Sequence, residues 1–409
     1  MANETQVMNS FNELSQELIP KAYLPAIENV AFKKKRSWFT NRIPRSNKDV
    51  NGLQVYLTFL TKLPWAWRSM SEFGYTPTGS KFDAEEQNAQ LSCHAASAIV
   101  SLTEIVATAS DGPARWKQII QKQMEALSTT FPYYIRSQLW SSQNSKKAIG
   151  KAAGISGTTV TLDNAGLWNT EQEDRAKLFE PGMFVQVYRS DAKVGSPVEV
   201  TSVNKGSGTV TLASDPGVQD DDVFCVSDIA GMDVPYSDLM PGVLDVIDDD
   251  NTFQGIDRSS DGNEQFRAVV QDATGKTLNH ELLTDFFHEV YDPEYAFTNW
   301  KIIRKYWQDN MEAQTRFQPG ADPMTDGYNA IQVGKTKLVE DEDCDSDKII
   351  VPDFDNMRIA DRGSFESMFD EGWRQVPQRP ILQYPVVYWA LLLARDCRYM
   401  GRMENISLD

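Results

Sequence analysis

Apolar residues between Trp116 and Leu139 recur at steps of three, four and one, the period of one helix face. Ser110–Pro113 precede this stripe with an oxygen-bearing cap and a proline, which is typical of a helix start. About 30 helical residues would span about 45 Å, longer than a typical globular helix. Pro132 should kink this helix without ending it. We therefore predict one long spine helix within residues 109–147.

The pattern changes to short alternating runs between residues 148 and 229. Five runs predict strands, and Asn204–Gly208 is typical of a hairpin turn between two of them. The runs are Thr159–Leu162, Met183–Tyr188, Val198–Val203, Thr209–Leu212 and Val223–Val226. Because helical patterns flank this region, we expect a small inserted domain that folds as a β-barrel or sandwich.

The rest of the chain predicts a mixed α+β protein. Residues 1–50 predict a short helix and then an extended arm, and residues 51–108 predict a long hairpin and the start of the next region. Residues 230–409 return to helices and strands. The predicted helices are Leu278–Val290 and Trp300–Met311, and the predicted strands lie in Gly327–Val339, Lys348–Val351 and Val386–Leu393.

Charge is unevenly distributed along the chain. Seven basic residues and no acid lie between Ala31 and Lys48, whereas thirteen Asp and one basic residue, Arg258, lie between Ser214 and Gly262. Both stretches are interpreted as solvated faces; the alternative is a basic arm that docks on an acidic neighbour or on nucleic acid. The net charge of −18 disfavours a dedicated nucleic-acid binder, because phosphate binding needs a basic face.

The motifs of common enzymes fail on their spacing. There are three His, and the four Cys (Cys93, Cys225, Cys344, Cys397) form no CxxC pair, so no zinc or thioredoxin-type site is predicted. Gly334-Lys335-Thr336 lacks the first glycine of a phosphate-binding loop. The alternating Asp341, Asp343, Asp345 and Asp347 lack the glycine and glutamate of a calcium loop, so a solvated acidic turn is expected, with a weak cation site as the alternative. We predict no catalytic residue, no cofactor and no metal.

No targeting or membrane segment is predicted. The N-terminus has no basic stretch followed by an apolar one, and the longest strongly apolar run, Val386–Ala394, has nine residues. A membrane helix needs about 20. We therefore expect a soluble protein made in a cytoplasm.

The order of these elements resembles the major capsid proteins of tailed bacteriophages, the Hong Kong 97-type fold. The resemblance covers about residues 10 to 405 and rests mainly on that order. Four short stretches are also similar to the family's axial domain, its late strand and turn, and its C-terminus. They are Phe253–Arg258 before a helix, Thr298-Asn299-Trp300, Gly327–Val339 with Asp353–Met357, and Arg395–Ile406.

The resemblance implies an architecture and a role. Residues 1–50 would be the N-terminal arm, 51–108 the extended loop and start of the peripheral domain, 109–147 its spine helix, 148–229 an insertion, and 230–409 the axial domain and the return to the peripheral domain. The chain would assemble, as hexamers and pentamers, into an icosahedral shell around double-stranded DNA, in the virion after assembly in a host cytoplasm. Implied partners are a separate scaffolding protein, a portal protein and the packaged DNA, contacted non-specifically; a decoration protein is left open.

Two sets of residues are candidate assembly contacts. Trp65 and Trp67 lie two apart in the hairpin, so they face one side of an extended chain, either toward a neighbouring subunit or toward their own core. The basic cluster Lys33, Lys34, Lys35 and Arg36 is expected to meet the acidic stretch of an adjacent subunit, in preference to DNA. We expect no covalent cross-link.

Two other classes of protein stay open. An encapsulin-like compartment has a closely similar fold and encloses cargo enzymes, and a carbohydrate-binding protein could use the β region as its binder. The inserted region and the long arm favour a viral shell.

Overall fold

The computed structural model describes residues 38–62, 83–101, 122–140, 149–163, 175–227, 240–311, 330–363, 366–367, 374–375 and 381–407, apart from short gaps at 49, 128–130, 133, 137, 177, 190–191, 251, 254, 261–262 and 342. Its named helices are α1 (Trp38–Arg42), α2 (Val243–Val246), α3 (His280–Glu289) and α4 (Trp300–Met311). Its strands, in chain order, are β1 (Arg45–Ser46), β2 (Val50–Asn51), β3 (Gln54–Lys62), β4 (Asp83–Gln90), β5 (Ser92–Ser101), β6 (Gly150–Ser156), β7 (Thr159–Asp163), β8 (Phe184–Arg189), β9 (Ala192–Asn204), β10 (Thr209–Leu212), β11 (Val223–Ser227), β12 (Thr252–Phe253), β13 (Ile256–Asp257), β14 (Val269–Asp272), β15 (Tyr295–Thr298), β16 (Ala330–Val333), β17 (Thr336–Glu340), β18 (Ile349–Val351), β19 (Met357–Asp361), β20 (Glu366–Ser367), β21 (Arg374–Gln375), β22 (Ile381–Ala394) and β23 (Gly401–Glu404).

The described part of the predicted spine region is helical. Residues 122–127, 131–132, 134–136 and 138–139 are in helix, and the rest of that predicted helix lies outside the described residues. The predicted apolar stripe is buried there, because Met124, Leu127, Phe131, Ile135 and Leu139 all belong to the largest core. The periodicity therefore identified the face that packs inward.

Six strands close into a barrel, in the order β10-β7-β6-β11-β8-β9. Its core consists of alternating apolar residues whose side chains point inward from successive strands. The sequence predicted five strands and missed β6, whose residues Gly150–Ser156 are mostly small. The chain enters on β6 and leaves on β11, and these two strands are hydrogen-bonded neighbours.

A long antiparallel ribbon is built from β3 and β4, which pair from Gln54↔Gln90 to Lys62↔Asp83. Within the described part of the chain, β2 is the one further strand that pairs with it, at Val50↔Val55 and Asn51↔Gln54. Beyond that base the ribbon is two strands wide among the described residues. The stretch that the sequence predicts as a hairpin thus holds a paired ladder.

The 14-residue strand β22 is the axis of a second sheet. It pairs antiparallel with β5 over ten residues, from Ile381↔Ser101 to Ala390↔Ser92. Its other partners are β19, β20 and β21, and β19 in turn pairs parallel with β1. This strand therefore joins the C-terminal part of the chain to segments that lie about 290 residues earlier.

The third sheet has the order β14-β23-β18-β15-β17-β16, and its two faces bury different cores. Alternate residues of a strand point to opposite faces. One set packs with α1 and the spine region: Phe297, Val339 and Ile350. The other set packs with α3 and α4: Ala296, Leu338 and Ile349. Among the described residues no helix combines the length and apolar character needed to cross a membrane.

Candidate functional site: two buried charged junctions

The acidic loop, residues 341–348 between β17 and β18, is buried at each of its described positions. Asp341, Asp343, Asp345 and Asp347 are all at most 9% exposed. The expectation of a solvated acidic turn is therefore wrong. Burial of charge requires partners, and the partners here come from distant parts of the chain.

Two carboxylates of the acidic loop hold α1 and the spine region. The backbone N–H of Phe39 donates to Asp341 Oδ2 at 3.1 Å, across 302 residues of sequence. Arg136 forms an ion pair with Asp343 across 207 residues. Phe39 also packs its ring on Trp140 and Phe297, with centroids 4.9 and 5.3 Å away. The acidic loop thus connects the third sheet to α1 and to the spine region.

The other two carboxylates hold Lys348. Its Nζ donates to Asp345 Oδ2 at 2.9 Å and to Asp347 Oδ1 at 3.0 Å. Burial lowers the pKa of Lys348, but the two carboxylates outweigh it and leave this pKa above its ordinary value. Lys348 therefore stays charged and bound, rather than available as a base or nucleophile.

The residues before α4 fasten the acidic loop to β15. Thr298 Oγ1 donates to the Lys348 carbonyl at 2.9 Å, and Asn299 Nδ2 donates to the Cys344 carbonyl at 3.0 Å. Asn299 Oδ1 also accepts from the N–H of Lys301 at 3.1 Å. Burial and the surrounding carboxylates raise the pKa of Cys344 well above its ordinary value, so this thiol is not an activated nucleophile.

A second junction lies at α2 and the residues after it, where two arginines hold backbone carbonyls. The fully buried Arg258 donates to the carbonyls of Asp245, Val246 and Asp248, at 3.2, 2.8 and 2.8 Å. Arg402 of β23 donates to the carbonyls of Leu244 and Ile247. Arg258 and Arg402 belong to two of the stretches on which the family resemblance rests. In the structure both bind carbonyls of the same segment, residues 244–248.

Asp248 is the carboxylate at this second junction. Its Oδ1 accepts from Arg402 Nη2 at 3.0 Å, and its Oδ2 has no hydrogen-bond partner among the residues that the structure describes. Burial raises the pKa of Asp248 to about 6, with Arg402 acting in the opposite direction. Asp248, Asp249 and Asp250 place one carboxylate oxygen each within 4.8 Å of one another. An acidic cluster alone does not identify a metal site, and we assign none.

The solvated reading of the acidic stretch 214–262 is wrong for three of its carboxylates and for its arginine. Asp222, Asp245, Asp248 and Arg258 are buried. Asp222 is held by Arg189, whose Nη2 donates to Asp222 Oδ2 at 2.7 Å. Several aspartates of this acidic stretch are therefore buried inside the protein, and Asp222 and Asp248 each bind an arginine there.

The candidate assembly residues Lys33, Lys34, Lys35, Arg36, Trp65 and Trp67 lie outside the described residues. They stay predictions. Gly334 lies in the turn between β16 and β17 with a φ of +62°, so Gly334-Lys335-Thr336 is part of a hairpin. His280 and His288 are exposed on α3.

Sequence reasoning missed the residues that make the first junction. Arg136 lies in the predicted spine helix, where only the apolar stripe was informative. The acidic loop carried a signal in its flanks, because β-prone residues on both sides (Leu338-Val339 and Ile349–Val351) place it between two core strands. At both junctions most of the charged groups bind partners from other segments of the chain, so the junctions hold those segments together.

No family model and no curated protein matches this chain. Among solved structures, the cyanophage A-1(L) capsid is 10% identical, with a TM-score of 0.47, over 90% of this chain and 90% of that one. The holo-SrpI encapsulin complex from Synechococcus elongatus is 9% identical, with a TM-score of 0.46, over 91% of this chain and 88% of that one. The capsid of Myoviridae phage XM1 is 9% identical, with a TM-score of 0.39, over 90% and 91%.

The resemblance that the sequence predicts is confirmed in this sense: the solved structures that match about nine-tenths of the chain include phage capsid proteins and an encapsulin, shells of the Hong Kong 97 type.

Proposed function

We propose that this chain is the subunit of a closed protein shell, built from many copies of itself, that encloses double-stranded phage DNA. In this proposal the chain performs no reaction. Its buried charges fasten its own segments together, and its function lies in the contacts between copies.

The observation that carries the proposal is the β3–β4 ribbon. Between residues 56–62 and 83–88 each strand has the other as its only strand partner among the described residues. A two-stranded hairpin is at best marginally stable alone in water, and its open edges are templates for further contacts. A ribbon of this kind is expected to rest on another surface, and in a shell the neighbouring copy supplies that surface.

The two charged junctions support the same proposal. A shell subunit has to transmit load between its parts. The acidic loop binds α1 through Asp341, which lies 302 residues after Phe39, and the spine region through Asp343, which lies 207 residues after Arg136. A scaffolding protein and a portal protein are the further partners that this role implies, a decoration protein stays open, and assembly would take place in the host cytoplasm.

The decisive experiment is to purify the full chain and measure its native mass, with negative-stain microscopy of the same sample. We expect closed particles in the megadalton range. A chain that stays at 46 kDa at every concentration would overturn the proposal. Nucleic acid inside the particles supports a capsid, whereas protein cargo without nucleic acid would replace it with an encapsulin-like compartment.

The hairpin tryptophans give a sharper test of the ribbon. We predict that the double variant W65A/W67A yields a folded chain that forms no particles, because both rings would be buried against the neighbouring copy. Circular dichroism and native mass measured together check this. Normal particles from the double variant would show that these two rings are not assembly contacts.

A further inference from the structure

The outer face of α4 is aromatic and basic. Trp300, Arg304 and Trp307 lie at i, i+4 and i+7, one stripe of the helix, and the two tryptophans are 44% and 42% exposed. The opposite face is buried through Ile302 and Tyr306. Arg304 is exposed, and its side chain has no ion pair or hydrogen bond among the described residues.

The outer face of the neighbouring helix α3 is acidic. Glu281, Asp285 and Glu289 lie at i, i+4 and i+8 and are all exposed. None of the three carboxylates has an ion pair within the part of the chain that the structure describes. The two helices lie on the same face of the sheet and are joined where His280 Nδ1 meets Tyr306 OH at 3.1 Å.

We propose that the α4 stripe of one copy docks on the α3 stripe of a second copy, as a head-to-tail contact between neighbouring subunits. The inference rests on the proposed shell function and names one of its contacts. Asp285 would lie opposite Arg304, and Trp300 would be the apolar anchor beside them.

Size and charge fit this pairing. The α3 stripe spans about 12 Å and the α4 stripe about 11 Å, at about 1.5 Å of rise per residue. The α3 stripe carries three carboxylates, whereas the α4 stripe carries the cation Arg304 and no acid lies between positions 300 and 308. Trp and Arg are the residues most enriched at interface centres, and complementary charge fixes the register of a contact.

The pairing also explains why both patches occur on one chain. Two different complementary patches on the same molecule give a heterologous contact, and such contacts close into rings when the rotation between copies allows it. DNA is the less suitable occupant of the α4 stripe, because an acidic helix lies beside it and phosphate binding needs several cations on one face.

A charge exchange tests the contact. We expect Arg304→Glu alone and Asp285→Arg alone each to lower the fraction of assembled chain about tenfold or more, and the double variant R304E/D285R to restore it. Lys205→Glu, in the exposed turn between β9 and β10, is the matched control, with the same charge change and normal assembly expected. Trp300→Ala gives a second route, with reduced assembly expected from loss of the apolar anchor.

The outcomes separate this contact from the proposed function. A wild-type chain that never forms particles overturns the shell proposal and this contact together. Wild-type particles with normal assembly of R304E, D285R and W300A overturn the contact alone, as does a double variant that stays unassembled while both single variants remain folded by circular dichroism. Normal assembly with reduced nucleic-acid retention in R304E would assign the stripe to DNA instead and overturn the contact.

Discussion

At the scale of residues, the Arg136–Asp343 pair shows how this chain uses buried charge. The two side chains are 11% and 12% exposed, and they join the spine region to the acidic loop. Removing one partner of a buried pair leaves the other charge without compensation, which costs more than the pair contributes. This asymmetry makes the pair a sensitive test of the junction.

We predict that Asp343→Asn lowers the free energy of unfolding by about 3 kcal/mol, because Arg136, whose side chain is 11% exposed, then loses the carboxylate of its ion pair. Chemical denaturation measures this. The control is Lys151→Met, which breaks the Lys151–Asp221 pair, whose side chains are 29% and 75% exposed. An exposed pair contributes about 1 kcal/mol or less. Equal losses in the two variants would contradict the assigned role of the acidic loop.

Asp248 predicts a dependence of stability on pH. Its pKa is raised from the ordinary 3.8 to about 6, mainly by burial. Between these two values the folded chain binds a proton more readily than the unfolded chain, so the contribution of Asp248 to stability falls as the pH rises through this window. We predict that Asp248→Asn removes this share, on the order of 1 kcal/mol between pH 4 and pH 7.

The comparison of wild type and D248N in urea at several pH values between 4 and 7 isolates Asp248 from the other titrating groups. The difference in unfolding free energy between the two chains should change steadily across the window. A difference that is independent of pH would mean that Asp248 ionises normally in the folded chain.

At the scale of elements, local pattern predicted much of what the structure shows. Helices α3 and α4 lie within the predicted stretches, because their apolar stripes pack directly on the sheet below them. Strand β6 was missed, since Gly150 and Gly154 carry no side chain to mark an inward or outward face. The acidic loop was misjudged because its burial depends on Arg136 and Phe39, which are distant in sequence and leave no local signal.

Strand β6 contains two glycines, Gly150 and Gly154, that can be compared directly. A Cβ at Gly150 would lie 2.7 Å from Phe179, a fully buried ring that packs edge-on against Phe224, whereas a Cβ at Gly154 would meet nothing within 4 Å. We predict that Gly150→Ala lowers the unfolding free energy by about 1–3 kcal/mol, through overpacking, and that Gly154→Ala is close to neutral. Thermal melts of both variants decide this. A neutral Gly150→Ala would show that Phe179 can move aside.

At the scale of the whole molecule, the chain enters the barrel and leaves it at neighbouring positions. The N–H of Ile149 donates to the carbonyl of Phe224 at 2.7 Å, so the entry and exit segments are hydrogen-bonded neighbours. An element with adjacent ends can be added to or removed from a scaffold without separating the parts on either side of it. Among the described residues the six strands close on one another, so each strand edge is paired within the barrel.

This geometry predicts that residues 148–229 fold on their own. The barrel strands bury Val160, Val187, Val200 and Val210, each at most 1% exposed, although the cluster that these residues belong to extends to the spine region. The isolated fragment should therefore unfold cooperatively on heating, with a β-type circular dichroism spectrum, and Gly150→Ala should lower its melting temperature as it lowers that of the full chain. A fragment with no cooperative transition would mean that the barrel depends on the rest of the subunit, and the expectation of an independently inserted domain would be wrong.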